Sequence, residues 1–479
     1  GFWYANLGTG TGKSVLAVAG SQELFNRDGI DLALIFTLKS VKPDIRKLVE
    51  QATSLSVIQA EGAKPRRAKL YRQNAQVYIL NYEKMRKSVD YDYLAELVVG
   101  KRVLWIFDEV QKALTENQAV DGLNDLLSIC AESTVWPMSA SIINGDPEKL
   151  HRVYEWAKVN PLGTLEEYRR TYCIGENRVQ MGGKYGKVQI FRDWNIGMMQ
   201  EIPSLVEHLT STARKTDPGV REFFKGLSFE PVAVQMDSKL KELYEILRES
   251  AVEERNKGGS TLAYYNALRL TCLHPTSHLF TTGEISQELV TMGIDFSKYA
   301  NTKLERMMED IEVIAAEGDK MVIFTHWTNL SLNQIALALD KAKIRYVRHT
   351  GDMNTNEREE SKTAFMNNSK VKVFLTSDAG SHGLNLQAAR WVLNYECPTS
   401  YDTLMQRCDR IDRADSHLDG LTAKLYYYED TIEEKIWGIN NYRRNLAALL
   451  QNTTEALHRP KYTQLSDKLS QSELDWLID

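Results

Sequence analysis

Cysteine is scarce in this chain of 479 residues, and none of the five (Cys130, Cys173, Cys272, Cys397 and Cys408) forms a CxxC pair. That scatter argues against a zinc ribbon or a disulfide framework and suits a reducing compartment. No run of eighteen apolar residues occurs, so a helical membrane span is not expected. Surplus basic charge is also missing: 59 Lys and Arg face 64 Asp and Glu, a formal net charge of −5. Bulk charge therefore does not announce a nucleic-acid partner, although a local stripe or helix-start amides can still grip phosphates. Repeats, low-complexity tracts and a secretory signal are not seen. The opening GFWYANLG already reads as strand, so further residues upstream are expected.

What is present is ordinary globular material, 43% hydrophobic and 26% charged, and too long for a single core. Two or three domains follow. LALIFTL, VYILNY and VLWIFDE read as buried strands, each followed by helical-period sequence, the pattern of a parallel α/β sheet. From about Glu148 to Leu273, stretches such as SKLKELYEILRESAVEERN predict a mostly helical insertion and linker. The alternation returns with KMVIFTHW, IRYVRHTG, VKVFLTSDAG, RWVLNYECP and AKLYYYED, and from about Asn440 a helical tail is expected to pack back on the body.

NLGTGTGKSVLAVAG carries the first chemistry. Gly8, Gly10 and Gly12, with Thr9 and Thr11 between them, leave a backbone that can wrap phosphate oxygens. Lys13 is placed to neutralise the β- and γ-phosphates and the Ser14 hydroxyl to bind Mg²⁺. The helix that begins here aims its amides at the same phosphates. In VLWIFDEV an apolar strand ends in Asp108 and Glu109, at the sheet edge where ligands bind. Asp108 is the candidate metal holder. Glu109 is the candidate base for the water that attacks the γ-phosphate. An acidic pair can instead simply cap the next helix.

The order of these and later motifs resembles that of superfamily 2 helicase-like ATPases, in particular the SWI/SNF-type DNA translocases. FDEVQ stands at the DExx box, MSASIIN at the Ser-Ala-Thr motif, and STARKTDPGV at the lobe crossover. LRLTCLHP, LTSDAGSHGLNLQAA and DTIEEKIW are similar to later stretches of that family. The resemblance runs from Asn6 to about Trp437. It implies two RecA-like parallel-sheet lobes with a helical insertion between them and a short helical C-terminal tail. The implied ATP-binding lobe covers residues 1–217, with its helical insertion at about 148–217. The second lobe covers 218–440, with a helical region at about 236–300, and the tail covers 441–479.

LMQRCDRIDRAD matches the family's Q-x-x-x-R-x-x-R motif, and its spacing predicts that Gln406, Arg410 and Arg413 share one helical face. By resemblance, both arginines are fingers contacting ATP held by the first lobe. Also by resemblance, Ser139 and Ser141 link the ATP site to nucleic acid, and Gly380, Gly383, Ser377 and Asn385 lie in or beside a loop that meets both. For Gly383 a plain turn role is an equal alternative. Thr37, Lys39, Asn81, Tyr82, Thr325, His326 and Trp327 follow strands, a position suited to contacting a phosphate backbone. Trp327 also reads as a packing aromatic, and His274 as structural. Basic residues gather in KPRRAKLYR and at Arg443 and Arg444, patches that are usually only solvated.

Two features depart from the family. Leu7 replaces the leading small residue of the phosphate loop, and Gln111 replaces the commoner His or Asp, which predicts weaker coupling to Ser139 and Ser141. The adenine-reading glutamine motif is not present, so ATP specificity rests on the resemblance. The implied activity is nucleic-acid-dependent ATP hydrolysis with Mg²⁺, driving a motor along duplex or branched DNA, with RNA possible. The implied context is repair, recombination or transcription. A compact chain suggests a viral or bacterial enzyme in the cytoplasm, or a nuclear one if eukaryotic. The alternatives are a strand-separating or branch-migrating helicase and a nucleotide-switched scaffold with little hydrolysis.

Overall fold

The computed structural model describes residues 1–39, 41–114, 117–140, 147–179, 187–199, 201–215, 217–378, 384–414, 416–449 and 471–479. They form two compact units, Gly1–Val220 and Arg221–Asp479.

In the first unit, β1 (Tyr4–Leu7), β2 (Leu32–Phe36), β3 (Val57–Gln59), β4 (Val77–Leu80), β5 (Arg102–Asp108), β6 (Glu132–Ser139) and β9 (Thr210–Ala213) make one sheet. Its order is β3-β4-β2-β5-β6-β1-β9, and every pairing is parallel. β1, β2 and β4 are buried along their whole length because helices cover both faces of such a sheet. A separate antiparallel hairpin joins β7 (Cys173–Val179) to β8 (Lys187–Trp194). The stretch from Glu148 therefore adds strands to its helices, among them Pro147–Tyr154 and Leu165–Tyr172. β9 reads TSTA at the sheet edge, too short and polar to show an apolar run.

The second unit holds β10 (Leu227–Val234), β11 (Met321–Phe324), β12 (Tyr346–His349), β13 (Val373–Thr376), β14 (Trp391–Asn394) and β15 (Leu421–Tyr428). The parallel order is β10-β15-β14-β11-β13-β12. β10 is an edge strand with alternating exposure, which hides it in a charged stretch. The helix Gln471–Ile478 packs on the helices Ser238–Asn256 and Leu262–Leu273, burying Leu474, Leu477 and Ile478. Inside the unit, the Lys303 ammonium donates to both oxygens of Glu433 at 2.6 and 2.9 Å. This buried pair ties the helix Thr302–Ala316 to the helix Ile432–Leu449. His274 caps the short turn Pro275–Phe280 by accepting from the Thr276 amide, and burial pushes its imidazole down to about 4.

Candidate functional site

At the C-terminal end of β1 the chain turns through Gly8 to Gly12 and enters the helix Lys13–Asn26. Gly10 and Gly12 have φ of 81° and 95°, left-handed values that favour glycine. No side chain caps the helix start and its first turn carries no acid, so its amide dipoles are not answered locally. The Thr11 hydroxyl donates to the Gly8 carbonyl at 2.7 Å and closes the turn. The Lys13 ammonium folds over the loop, donating to the carbonyls of Leu7 at 3.0 Å and Gly8 at 3.2 Å. Leu7 is harmless at the loop's first position: its side chain sits in the core and only its carbonyl faces Lys13.

β5 brings Asp108 to the same edge of the sheet, two strands from β1. The Thr37 hydroxyl donates to Asp108 Oδ2 at 2.9 Å. Burial, with the Glu109 carboxylate beside it, pushes the Asp108 carboxyl up to about 6. Glu109 itself has φ 56°, a strained value for a non-glycine residue. Its carboxylate is held by Gln111, whose amide donates to Glu109 Oε2 at 2.5 Å. The other end of that amide accepts the Ser139 hydroxyl at 2.7 Å. Gln111 thus joins Glu109 to the end of β6, contrary to the weakened link its identity suggests, because one amide offers both a donor and an acceptor.

A positioning residue that the sequence did not single out is Arg214, in the STARKTDPGV stretch. Its guanidinium donates to the Asn6 carbonyl and side chain at 2.7 and 2.9 Å, while the Gly8 amide donates to the Ala213 carbonyl at 2.8 Å. Together these bonds fix the base of the Gly8–Gly12 turn.

Several residues expected at a nucleic-acid surface are instead interior. Thr37 is fully buried against Asp108. Tyr82 is buried with its hydroxyl on the Asp108 carbonyl. Thr325 is fully buried, its hydroxyl shared with Ser331 and Glu396. Asn81 is buried and donates to Glu83 at 2.7 Å, Ser139 and Ser377 are buried, and Trp327 is half-buried against a hydrophobic cluster of the second unit that includes Leu330 and Leu332, with the Arg269 guanidinium over its ring. Lys39 and Asn385 are exposed, as is His326. Ser141, Gly380 and Gly383 lie outside the described residues. In the KPRRAKLYR patch, Arg67 turns inward to Asp90, with Nε and Nη2 both at 2.7 Å.

The second unit gathers charge at the C-terminal ends of β11, β13 and β14. His326 Nδ1 lies 2.6 Å from Asp378, which also accepts from Arg407 Nε and Nη2 at 2.9 and 2.6 Å. The helix of Gln406 runs only over Tyr401–Cys408, so Gln406, Arg410 and Arg413 do not share a helical face. Its last turn is closed by the Asp409 amide on the Met405 carbonyl, and the next carbonyl, Gln406, takes Arg410 Nε at 2.7 Å in place of a continuing amide. Arg410 also donates to the Leu384 carbonyl at 3.3 Å and is buried, whereas Arg413 follows in irregular chain and is half-buried.

Residues 302–415 match the family described as the helicase conserved C-terminal domain. The chain is similar to ATP-dependent helicase fft3 of Schizosaccharomyces pombe, 26% identical over 157 residues, 33% of this chain and 17% of that protein. It is also similar to the uncharacterized ATP-dependent helicase YqhH of Bacillus subtilis, 22% identical over 306 residues, 57% of this chain and 54% of that protein. The chain thus spans about a sixth of the first relative and about half of the second. Among solved structures, the Pyrococcus furiosus Hef helicase domain shares the fold with a TM-score of 0.54 at 16% identity, over 91% of this chain and 94% of that one. This match and these relatives, beside the motif order from Gly8–Ser14 to DTIEEKIW, make the chain similar to superfamily 2 helicase-like ATPases of the SWI/SNF type.

Proposed function

We propose that the protein hydrolyses ATP to drive movement along double-stranded DNA. The observation that carries the ATPase half is the bond line Glu109–Gln111–Ser139, which runs from the acid at the end of β5 to the end of β6 beside the phosphate loop. On this reading, Lys13 and the amides at the start of its helix bind the phosphates. Glu109 takes the proton of the attacking water, and Gln111 holds it in the orientation for doing so. Asp108 and Ser14 supply hard oxygen donors that fit Mg²⁺, an ion held by one or two carboxylates plus substrate phosphates. Burial of Asp108 beside Glu109 supports that assignment, since together they disfavour its charged form by more than the nearby Lys13 ammonium and the Thr37 bond offset. When bound, Mg²⁺ neutralises charge on the transferring phosphoryl group. Arg410 and Arg413 are proposed, from the motif alone, to stabilise that same charge.

The duplex-tracking half rests on the SWI/SNF-type stretches LRLTCLHP and DTIEEKIW. A second reading, strand separation, is favoured by the relatives, which carry the name ATP-dependent helicase. Steady-state ATPase activity measured in parallel without nucleic acid and with duplex DNA, single-stranded DNA, forked DNA and RNA decides between them. Stimulation by plain duplex supports tracking. Stimulation only by forks, single strands or RNA supports the helicase reading, and no hydrolysis under any condition overturns both.

A further inference from the structure

The motif-bearing residues of the second unit lie at the C-terminal ends of its strands. At the opposite edge, where β11, β12 and β13 begin, a groove of about 690 Å³ opens. Lys343 and Arg345 enter it from the turn before β12, Lys370 and Lys372 from the turn before β13, and Glu312 from the helix Thr302–Ala316. Four cations against one carboxylate make this a basic site on a chain whose net charge is −5.

A purely structural role explains part of it. Three helices, Thr302–Ala316, Asn333–Lys341 and Thr355–Asn367, end at this edge, and cations suit helix C-termini. Lys372 serves in that way, donating to the Gly318 carbonyl at 2.6 Å. The side chains of Lys343, Arg345 and Lys370 make no ion pair or hydrogen bond among the described residues, and all three are exposed. Lys343 moreover occupies left-handed backbone at φ 56°, where Gly or Asn is easier to place.

We infer that this groove binds the phosphate backbone of a nucleic-acid duplex, as a contact separate from the motif-bearing edge. The groove is open and polar, whereas small-molecule sites are enclosed and mostly apolar. It has no aromatic lining, and a protein partner is ordinarily anchored by aromatic and apolar side chains. Exposed Lys and Arg on turns, with no aromatic to stack a base, suit backbone contacts that hold a duplex without reading its sequence.

The test uses the full chain and a triple variant, Lys343→Asn, Arg345→Gln and Lys370→Gln. Asn suits the left-handed backbone, and an unchanged Tm checks folding. Binding of a fluorescent 20-base-pair duplex is followed by anisotropy from about 50 to 200 mM salt. The triple variant is expected to bind roughly tenfold or more weakly near 100 mM salt, with a salt slope shallower by about 3. Its kcat for ATP at saturating duplex stays that of the parent. Glu312→Gln is expected to tighten binding. The inference rests on a nucleic-acid role for the chain, and the two fail differently. A parent chain that binds no duplex overturns both. A parent that binds, with an unchanged slope in the triple variant, overturns only this groove. Loss of poly-glutamate binding without loss of duplex binding overturns it in favour of an acidic protein partner.

Discussion

The Ser139 hydroxyl donates to Gln111 Oε1 at 2.7 Å, joining the end of β6 to the turn after β5. Because the same amide also holds Glu109, displacement of β6 would be felt at the carboxylate that is the candidate base. Gln111→Ala and Ser139→Ala are therefore each expected to reduce the nucleic-acid-stimulated ATPase rate ~10-fold, the scale of one hydrogen bond to a charged group. The double variant should be no worse than either single one, since both remove the same link. Additive losses in that cycle would mean the two residues act separately.

Lys303 and Glu433 give a prediction about stability. Burial raises the Glu433 carboxyl even with the Lys303 ammonium in contact, so the pair is held at a desolvation cost. Tyr428 adds its amide to the same carboxylate at 3.0 Å. Lys303→Met is expected to cost about 3–5 kcal/mol, because it leaves a buried carboxylate without its counter-charge. Combining it with Glu433→Leu should recover most of that loss. Urea unfolding of the full chain measures both, and a double variant as weak as the single one would show that the pair fixes the fold rather than merely compensating charge.

The His326–Asp378 contact predicts a pH response. The bond to Asp378 raises the imidazole above its ordinary 6.5, so its contribution is complete below that value and is lost as pH rises through the higher folded one. Burial acts to raise Asp378, but the bonds from His326 and Arg407 outweigh it and hold the carboxyl well below its ordinary 3.8. That contribution is complete above 3.8 and is lost only as pH falls through the depressed folded value. The pair is therefore strongest between about pH 4 and 6.5. In NMR titration of histidine-labelled protein, assigned with His326→Gln, the His326 midpoint should lie above 6.5 and fall in Asp378→Asn. Since the His326 side chain is 57% exposed, Tm should shift little between pH 6 and 8. A midpoint unmoved by Asp378→Asn would remove the pair from account.

Much of this architecture was legible because buried parallel strands write continuous apolar runs. LALIFTL, VYILNY and VLWIFDE became β2, β4 and β5, and the five later runs became β11 to β15. The edge strands β9 and β10 did not show, unlike the edge strand β12: β9 is four polar-leaning residues and β10 alternates its exposure within a charged stretch. The glycine turn after β1 and the acid that ends β5 were legible, since glycine at left-handed φ and an acid at a strand end are local requirements. Burial was harder to read. Thr37, Tyr82 and Thr325 follow strands, but each spends its hydroxyl on a neighbouring carboxylate or carbonyl rather than on the surface. Spacing alone also misplaced Arg410, because a guanidinium taking the Gln406 carbonyl ends a helix that the pattern would continue.

Glu109 offers the sharpest separation of stability from chemistry. Its φ of 56° places a bulky acid in the left-handed region, at a cost of order 1 kcal/mol or more, and Gln111 holds the carboxylate there. Glu109→Gln keeps an oxygen that can accept from Gln111 but abolishes proton uptake. It should bind ATP with affinity within about threefold of the parent and lose ~10²–10⁴ in turnover, the range for a general base. Glu109→Gly removes the backbone strain as well as the carboxylate, so it is expected to raise Tm by a few degrees while losing turnover equally. Nucleotide binding, steady-state turnover and thermal unfolding of both variants are the measurements. Turnover that persists in Glu109→Gln would place the base elsewhere, and a lower Tm in Glu109→Gly would mean that the contacts of the carboxylate outweigh the strain it imposes.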